Sequence, residues 1–375
     1  MPSLLPNVDP DGLLEYSVVY TDRAINHMSS AFQDVMRGIS RILKQVYSAE
    51  AAIIVPGSGT FGMEAVARQF ATNKKCLVIR NGWFSFRWSQ IFDMGGIPAS
   101  TTVLKARPVA DGPQAAFGPP PLHEVLAAIK SEKPDMVFAP HVETASGILL
   151  PDDYIRAVAE AVHEHGGLFV LDCIASGTIW VDMKETGVDV LISAPQKGWS
   201  GPACCALVML GAEARKQIDA TTSTSFACDL RKWLQIMQAY EQGGHAYHAT
   251  MPTDALTALY KIMLDMEAEG FGKLRDAQQE LGAKVRAMLV KRGFKSVAAE
   301  GFQAPGVVVS YTSDDGIHST RKFAQAGVQA AAGVPLQCDE PEGFKTFRIG
   351  LFGLDKLHHI ERTVDYLAKA ISKIA

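Results

Sequence analysis

The chain has 375 residues, 47% of them hydrophobic and 20% charged, which is enough to bury a full core and a second, smaller one. Its 36 basic and 40 acidic side chains leave a net charge of −4 with no basic block, which argues against nucleic acid and anionic membrane surfaces as partners. No apolar stretch approaches the ~20 residues that cross a bilayer, and the opening MPSLLPNVDPDG lacks the pattern of a signal peptide, so a soluble, cytoplasmic protein is expected.

Residues 31–47 carry apolar side chains at helical spacing, and the short apolar strand 51–55 and a glycine turn follow. The alternation continues with a helix over 63–70, a strand at 76–79, a helix over 122–130 and a strand at 136–139. It then runs through a helix over 154–164 and strands at 168–171 and 190–193. Strands separated by helices imply parallel pairing through right-handed crossovers, hence an α/β sheet covered on both faces. One more strand is expected at 203–210. Near residue 252 the pattern changes to long helices over 256–269 and 274–291, strands near Val307 and Phe347, and a closing helix over 357–373. This predicts an N-terminal arm (1–22), a large domain (23–252) and a small C-terminal α+β domain (253–375). The six cysteines, Cys76, Cys173, Cys204, Cys205, Cys228 and Cys338, show no C-x-x-C spacing, which fits a reducing compartment. The adjacent Cys204 and Cys205 read as small core hydrophobes.

The turn Gly57-Ser58-Gly59-Thr60-Phe61-Gly62 joins a strand to a helix, so its backbone N–H groups and the helix dipole face whatever anion sits there. Taken literally, Gly57, Gly59 and Gly62 spell the GxGxxG dinucleotide fingerprint. That reading wants an acidic residue at the end of the next strand, which here ends in Arg80-Asn81. An arginine suits a 2′-phosphate, so an NADP-binding oxidoreductase is a distant alternative.

Lys197 follows an apolar strand in the glycine- and proline-rich stretch Pro195-Gln196-Lys197-Gly198-Trp199-Ser200-Gly201-Pro202. Upstream, Leu168-Phe169-Val170-Leu171 ends in Asp172, a carboxylate at the edge where open α/β sheets gather ligands. An amine to form a Schiff base, a carboxylate to hold a pyridine nitrogen protonated and a phosphate cup are what pyridoxal 5′-phosphate (PLP) requires. Lys197, Asp172 and Ser58-Gly59-Thr60 offer those groups in order.

On these motifs the chain resembles the class V, fold type I PLP enzymes, and among them the alanine/serine–glyoxylate aminotransferases. The similarity runs from Asn26-His27-Met28-Ser29 to Arg348. It implies a fold with a large, mainly parallel sheet domain covered by helices and a smaller C-terminal domain. It assigns Ser58, Gly59 and Thr60 to the cofactor phosphate, with Gln196 as a neighbour, although the family more often has histidine at the Thr60 position. Asn81-Gly82-Trp83-Phe84-Ser85-Phe86-Arg87 matches the segment whose aromatic stacks on the pyridine ring. The alignment selects Phe84, with Trp83 and Phe86 still open. In His141-Val142-Glu143-Thr144, the Thr144 hydroxyl falls on the position that approaches the cofactor's phenolic oxygen, with Glu143 nearby. Asp172 and Lys197 take the roles of pyridinium partner and Schiff-base lysine.

Tyr247 and Thr250, in Tyr247-His248-Ala249-Thr250-Met251-Pro252, match residues that reach the phosphate of a neighbouring subunit, which implies a homodimer with shared active sites. Arg348 matches the arginine that holds the substrate carboxylate. The implied reaction is transamination between a small amino acid (alanine, serine or similar) and a small 2-keto acid such as glyoxylate or pyruvate, with Lys197 as base and acid in turn. A lyase, a decarboxylase, or a desulfurase using Cys338 are alternatives within the class. His245 and His248 lack a third ligand, so no metal is expected. The arm, with Gly12-Leu13-Leu14-Glu15 in place of the family's glycine–proline opening, leaves the donor and acceptor open.

Overall fold

The computed structural model describes residues 13–374; residues 1–12 of the expected arm, and Ala375, lie outside them. Seven strands form the main sheet: β1 (Ala51–Pro56), β2 (Lys75–Arg80), β3 (Ser100–Lys105), β4 (Met136–Pro140), β5 (Leu168–Asp172), β6 (Val190–Ser193) and β7 (Cys205–Leu210). Their order is β1-β7-β6-β5-β4-β2-β3. The central strands are buried throughout, as continuous apolar runs must be when helices cover both faces.

Pairing is parallel from β3 through β2, β4 and β5 to β6. It turns antiparallel where β7 enters between β6 and β1. The loop from Ser193 to Cys205 carries no crossover helix, so β7 returns against β6. Both β6 and β1 oppose β7 and therefore run the same way. The C-terminal ends of β1, β2, β4, β5 and β6 thus gather on one edge, where ligands bind in open α/β sheets.

The covering helices are α1 (Ser30–Tyr47), α2 (Gly59–Phe70), α3 (Trp83–Gly95), α4 (Leu122–Glu132), α5 (Asp152–His163) and α6 (Leu230–Glu241). Then come α7 (Thr253–Glu269), which packs along α1, and α8 (Phe271–Lys291). Strands β8 (Val307–Tyr311), β9 (Ala331–Ala332) and β10 (Thr346–Gly350) form a second, antiparallel sheet in the order β8-β10-β9. Side chains alternate along β10: Phe347 packs on Phe294 and Phe323, while Arg348 leaves on the other face. The closing helix begins later than the periodicity suggested, because His359 leaves helical geometry between Leu354–His358 and α9 (Ile360–Ile371). Among the described residues no helix is long and apolar enough to cross a membrane. All six cysteines are buried and free.

Two local structures matter for the site. The first is the turn after β6. Trp199 is fully buried against Trp180, Tyr47 and Phe271, the first at a ring separation of 4.7 Å. Gly201 N–H donates to the Pro195 carbonyl at 2.9 Å and closes the turn. Gly198 passes so close to the neighbouring loop that a Cβ there would lie 2.0 Å from the Gly177 carbonyl oxygen. Only glycine fits, and Lys197 is thereby aimed away from the aromatic cluster.

The second is the start of α3. Its sequence WFSFRWSQIF is rich in aromatic residues of modest helix propensity, and no helix is expected there from sequence. What holds it is Glu143, a fully buried carboxylate from the loop after β4. Its oxygens accept from Ser85 N–H at 2.8 Å, Ser85 Oγ at 2.6 Å, Phe84 N–H at 3.2 Å and Ala145 N–H at 2.9 Å. A charge opposite the free N–H groups of a helix start satisfies both. Glu143 thus serves the helix that carries Phe84.

Candidate active site

A cavity of about 150 Å³ opens at the sheet edge. Its walls carry Ser58, Gly59 and Thr60 from the β1–α2 turn, Phe84 and Arg87 from α3, Thr144, Asp172, and Gln196 with Lys197. Every residue assigned from sequence to the phosphate cup, the pyridine ring and the amine therefore meets in one place, except Tyr247 and Thr250. Of the three aromatic candidates, Phe84 lines the cavity. Phe86 instead lies under the Arg80 guanidinium at 4.7 Å, and Trp83 packs on Phe86 at 5.8 Å.

The turn is shaped for an anion. Gly59 opens α2, four residues earlier than expected, so Ser58 stands at the N-cap and the first helical N–H groups point into the cavity. Gln196 Oε1 is buried there without a protein partner. Arg87, which sequence reading quoted but gave no role, donates from Nη1 to Thr60 Oγ1 at 3.0 Å and stacks its guanidinium 5.2 Å from the Phe84 ring. Phe84 and Arg87 are three apart on one helix, so reading 83–95 as helical would have put both on one face.

Asp172 ends β5, its Oδ1 accepting from Ile174 N–H at 2.9 Å. Burial pushes its carboxyl up to about 7, with Glu143 adding to the shift and Arg87 and Lys197 opposing it. Behind it His141 donates its backbone N–H to the Asp172 carbonyl, and its Nδ1 lies 2.7 Å from Ser176 Oγ. Burial holds the imidazole down to about 4, hence neutral.

Burial also lowers the Lys197 amine below the usual lysine range, helped by Arg348, and Asp172 works against it. Arg348 comes near from β10, its guanidinium 5.5 Å from the ring of Phe84 on the cavity wall and its Nε donating to the Ala332 carbonyl at 2.8 Å. That bond fixes the plane of the fork and leaves the outer nitrogens for a carboxylate. Phe352, which sequence reading passed over, lies with its ring 5.4 Å from Lys197 Nζ.

Tyr247 and Thr250, expected to reach the phosphate of a neighbouring subunit, lie outside this chain's own cavity; their hydroxyls lie 3.2 Å apart at an exposed site, with the Tyr247 ring on His27. Other expectations are redirected. His248 Nε2 donates to the Phe226 carbonyl, whereas His245 meets His27 edge-on. Arg80, offered to a 2′-phosphate by the dinucleotide reading, is buried, and its Nη1 and Nη2 donate to the Gln337 carbonyl and Ser89 Oγ. Cys338 is buried against the Arg80 carbonyl, and burial pushes its thiol up to about 12, which removes the thiolate a desulfurase needs.

The profile of the family described as aminotransferase class-V matches residues 12–321. Alanine–glyoxylate aminotransferase 1 of Saccharomyces cerevisiae is 25% identical over 314 residues, 78% of this chain and 77% of that protein. A 2-aminoethylphosphonate–pyruvate transaminase of Vibrio parahaemolyticus is 28% identical over 335 residues, 87% and 84% of the two chains. The structure of an alanine–glyoxylate aminotransferase from Nostoc sp. superposes with a TM-score of 0.77 at 18% identity, covering 92% of this chain and 89% of that one, and so shares the fold.

The Asp172 shift carries a pH signature. With the folded carboxyl near 7 and the unfolded one at 3.8, folding takes up a proton between those values. The stability this contributes is complete below 3.8 and lost as pH rises through about 7. Urea unfolding of the cofactor-free protein should show wild type losing up to about 4 kcal/mol relative to Asp172→Asn across that range. A pH-independent difference between the two would mean that the carboxyl titrates normally.

Proposed function

Because the chain belongs to the class-V aminotransferase family, we propose that it moves the amino group of a small amino acid, alanine, serine or a similar one, to a small 2-keto acid such as glyoxylate or pyruvate. Enzymes of this family and fold depend on PLP. The groups present fit that cofactor. The start of α2 with Ser58 and Thr60, the N–H donors of the Gln196 side chain and the Arg87 guanidinium suit its phosphate. The buried Asp172 carboxyl suits a protonated pyridine nitrogen, which would restore its ionised form. Phe84 offers a flat face to the ring, and the Thr144 hydroxyl a partner to the phenolic oxygen.

The observation that carries the reading is that Lys197, Asp172 and the Ser58–Thr60 turn share one cavity, with the Arg348 guanidinium 5.5 Å from the Phe84 ring on its wall. PLP, when bound, supplies an electron sink at the substrate α-carbon and a carbon that accepts the amino group. Arg348 grips the α-carboxylate with its outer nitrogens and so orients every substrate sharing that group. Lys197, its amine depressed by burial, would take the α-proton at Nζ and return it on the far side of the transferred nitrogen, base and then acid. Glu143 keeps the start of α3, and with it Phe84, in register with this exchange.

Tyr247 and Thr250 belong to the same proposal through a homodimer: exposed on their own chain, they would complete the phosphate cup of a second copy. The division into arm, large part and small part at 22 and 252 frames the proposal, with α7 as the helix that ties the last part to α1. A cytoplasmic location is also proposed, supported by the six free, buried cysteines.

The test is a screen of single amino acids against the PLP-loaded protein. One or more small amino acids should discharge its visible absorption and release the matching keto acid. Lys197→Ala should do neither, and Arg348→Lys should raise KM for the donor about 10- to 100-fold through loss of the fork. Release of ammonia alongside the keto acid, or of carbon dioxide or sulfide, would overturn the assignment in favour of another class V reaction. The shared site is checked with hybrids of Lys197→Ala chains and chains carrying both Tyr247→Ala and Thr250→Ala. Each parent should be inactive or nearly so, and the hybrid should regain one working site in two; absence of recovery would mean that the sites are not shared.

A further inference from the structure

Phe352, to which the reaction gives no role, lies beside the amine. Lys197 Nζ stands over its ring, 5.4 Å from the centroid, within the range of a cation–π attraction. The ring is held in place through its backbone. Leu351 N–H donates to the Gly306 carbonyl at 2.9 Å, Leu354 N–H to Ser200 Oγ at 2.8 Å, and Lys356 Nζ to the Phe352 carbonyl at 2.9 Å. Ser200 lies in the turn that carries Lys197, so the segment bearing the ring and the segment bearing the amine are bonded to each other.

The same stretch presents Arg348, Gly350 and Phe352 at alternate positions. A Cβ at Gly350 would meet only the Phe352 ring, at 3.7 Å, in ordinary van der Waals contact.

We propose that Phe352 is a positioning residue for Lys197, its ring face receiving the lysine ammonium and holding it beside the space where Arg348 presents the substrate. The charged groups that act on that ammonium are Asp172 from β5, which favours it, and Arg348 from β10 and Arg87 from α3, which oppose it. Against two cations and a single buried carboxyl, a neutral ring stabilises the ammonium without an ion pair that would pin it. An amine held in this way stays free to give its proton back. The proposal rests on the reading of Lys197 as the amine of the active site.

The test uses the full-length chain freed of cofactor. Acetylation of Lys197 by acetic anhydride across pH, followed by mass spectrometry of its peptide, gives the titration midpoint of the amine. Phe352→Leu should lower that midpoint by about 0.5 to 1 pH unit. Phe352→Tyr, which keeps the π face, should match wild type. A ring-fluorinated phenylalanine at position 352, which keeps the shape and weakens the π face, should behave like leucine and guards against misfolding of that variant. An unchanged midpoint with the fluorinated ring, or a fall with tyrosine equal to that with leucine, would overturn the proposal. The midpoint is read without cofactor, so such a failure leaves the cofactor-bearing role of Lys197 standing. Failure of that role would show instead as cofactor attached elsewhere.

Discussion

Position 198 admits no side chain, because its first carbon would lie 2.0 Å from the Gly177 carbonyl oxygen, and the direction of Lys197 depends on that approach. On one side of the glycine Trp199 is sealed among Trp180, Tyr47 and Phe271; on the other Lys197 lines the cavity. The same loop partner, Gly177, lies in the segment that follows Asp172, so the turns after β5 and β6 are packed backbone to backbone. Two adjacent parallel strands thus present a carboxylate and an amine at fixed spacing before any ligand arrives. Preorganisation of this kind costs folding a constrained turn and spares the reaction the reorientation.

Electrostatics divides the buried charges into two groups. Glu143 is the deepest carboxylate, and its charge is taken up by the N–H groups at the start of α3. What is left at the cavity is then predominantly cationic: Lys197 and Arg87 on its walls, and Arg348 near enough to act on Lys197, against Asp172. A phosphate and a substrate carboxylate are the natural complement to that excess. Asp172 and Lys197 are both pushed by burial toward their neutral forms, the one upward and the other downward. Groups displaced from their ordinary ranges inside a cleft are what proton transfer near neutrality needs.

Much of this was legible in the sequence wherever local pattern and tertiary role coincide. The apolar runs ending in Asp172 and preceding Lys197 are strands buried on both faces, and burial of that kind leaves a continuous signature. The glycine turn was legible as the start of a helix at the sheet edge because the helix behind it is regular. Helix α3 was not, since its aromatic residues favour no helix on their own and its stability comes from Glu143, distant in sequence. With α3 unread, Arg87 had no face and Phe84 could not be separated from Trp83 and Phe86. The edge strand β3, with the polar start STT, was missed because an edge has only half the burial that writes a pattern. Phe352 was missed because its partner is an amine brought near only by the meeting of the two sheets. Arg80 misled in the opposite sense. A charged residue at a strand end looks available, but here it is buried and tethers the Gln337 loop.

The central claim is that Lys197, and no other amine of the chain, carries the cofactor. Borohydride reduction of the PLP-loaded protein, followed by digestion and peptide mass analysis, tests it directly. The account predicts a pyridoxyl mass increment on the peptide containing Lys197 and on no other. An increment on a different lysine, or none on the Lys197 peptide of a coloured protein, would contradict it.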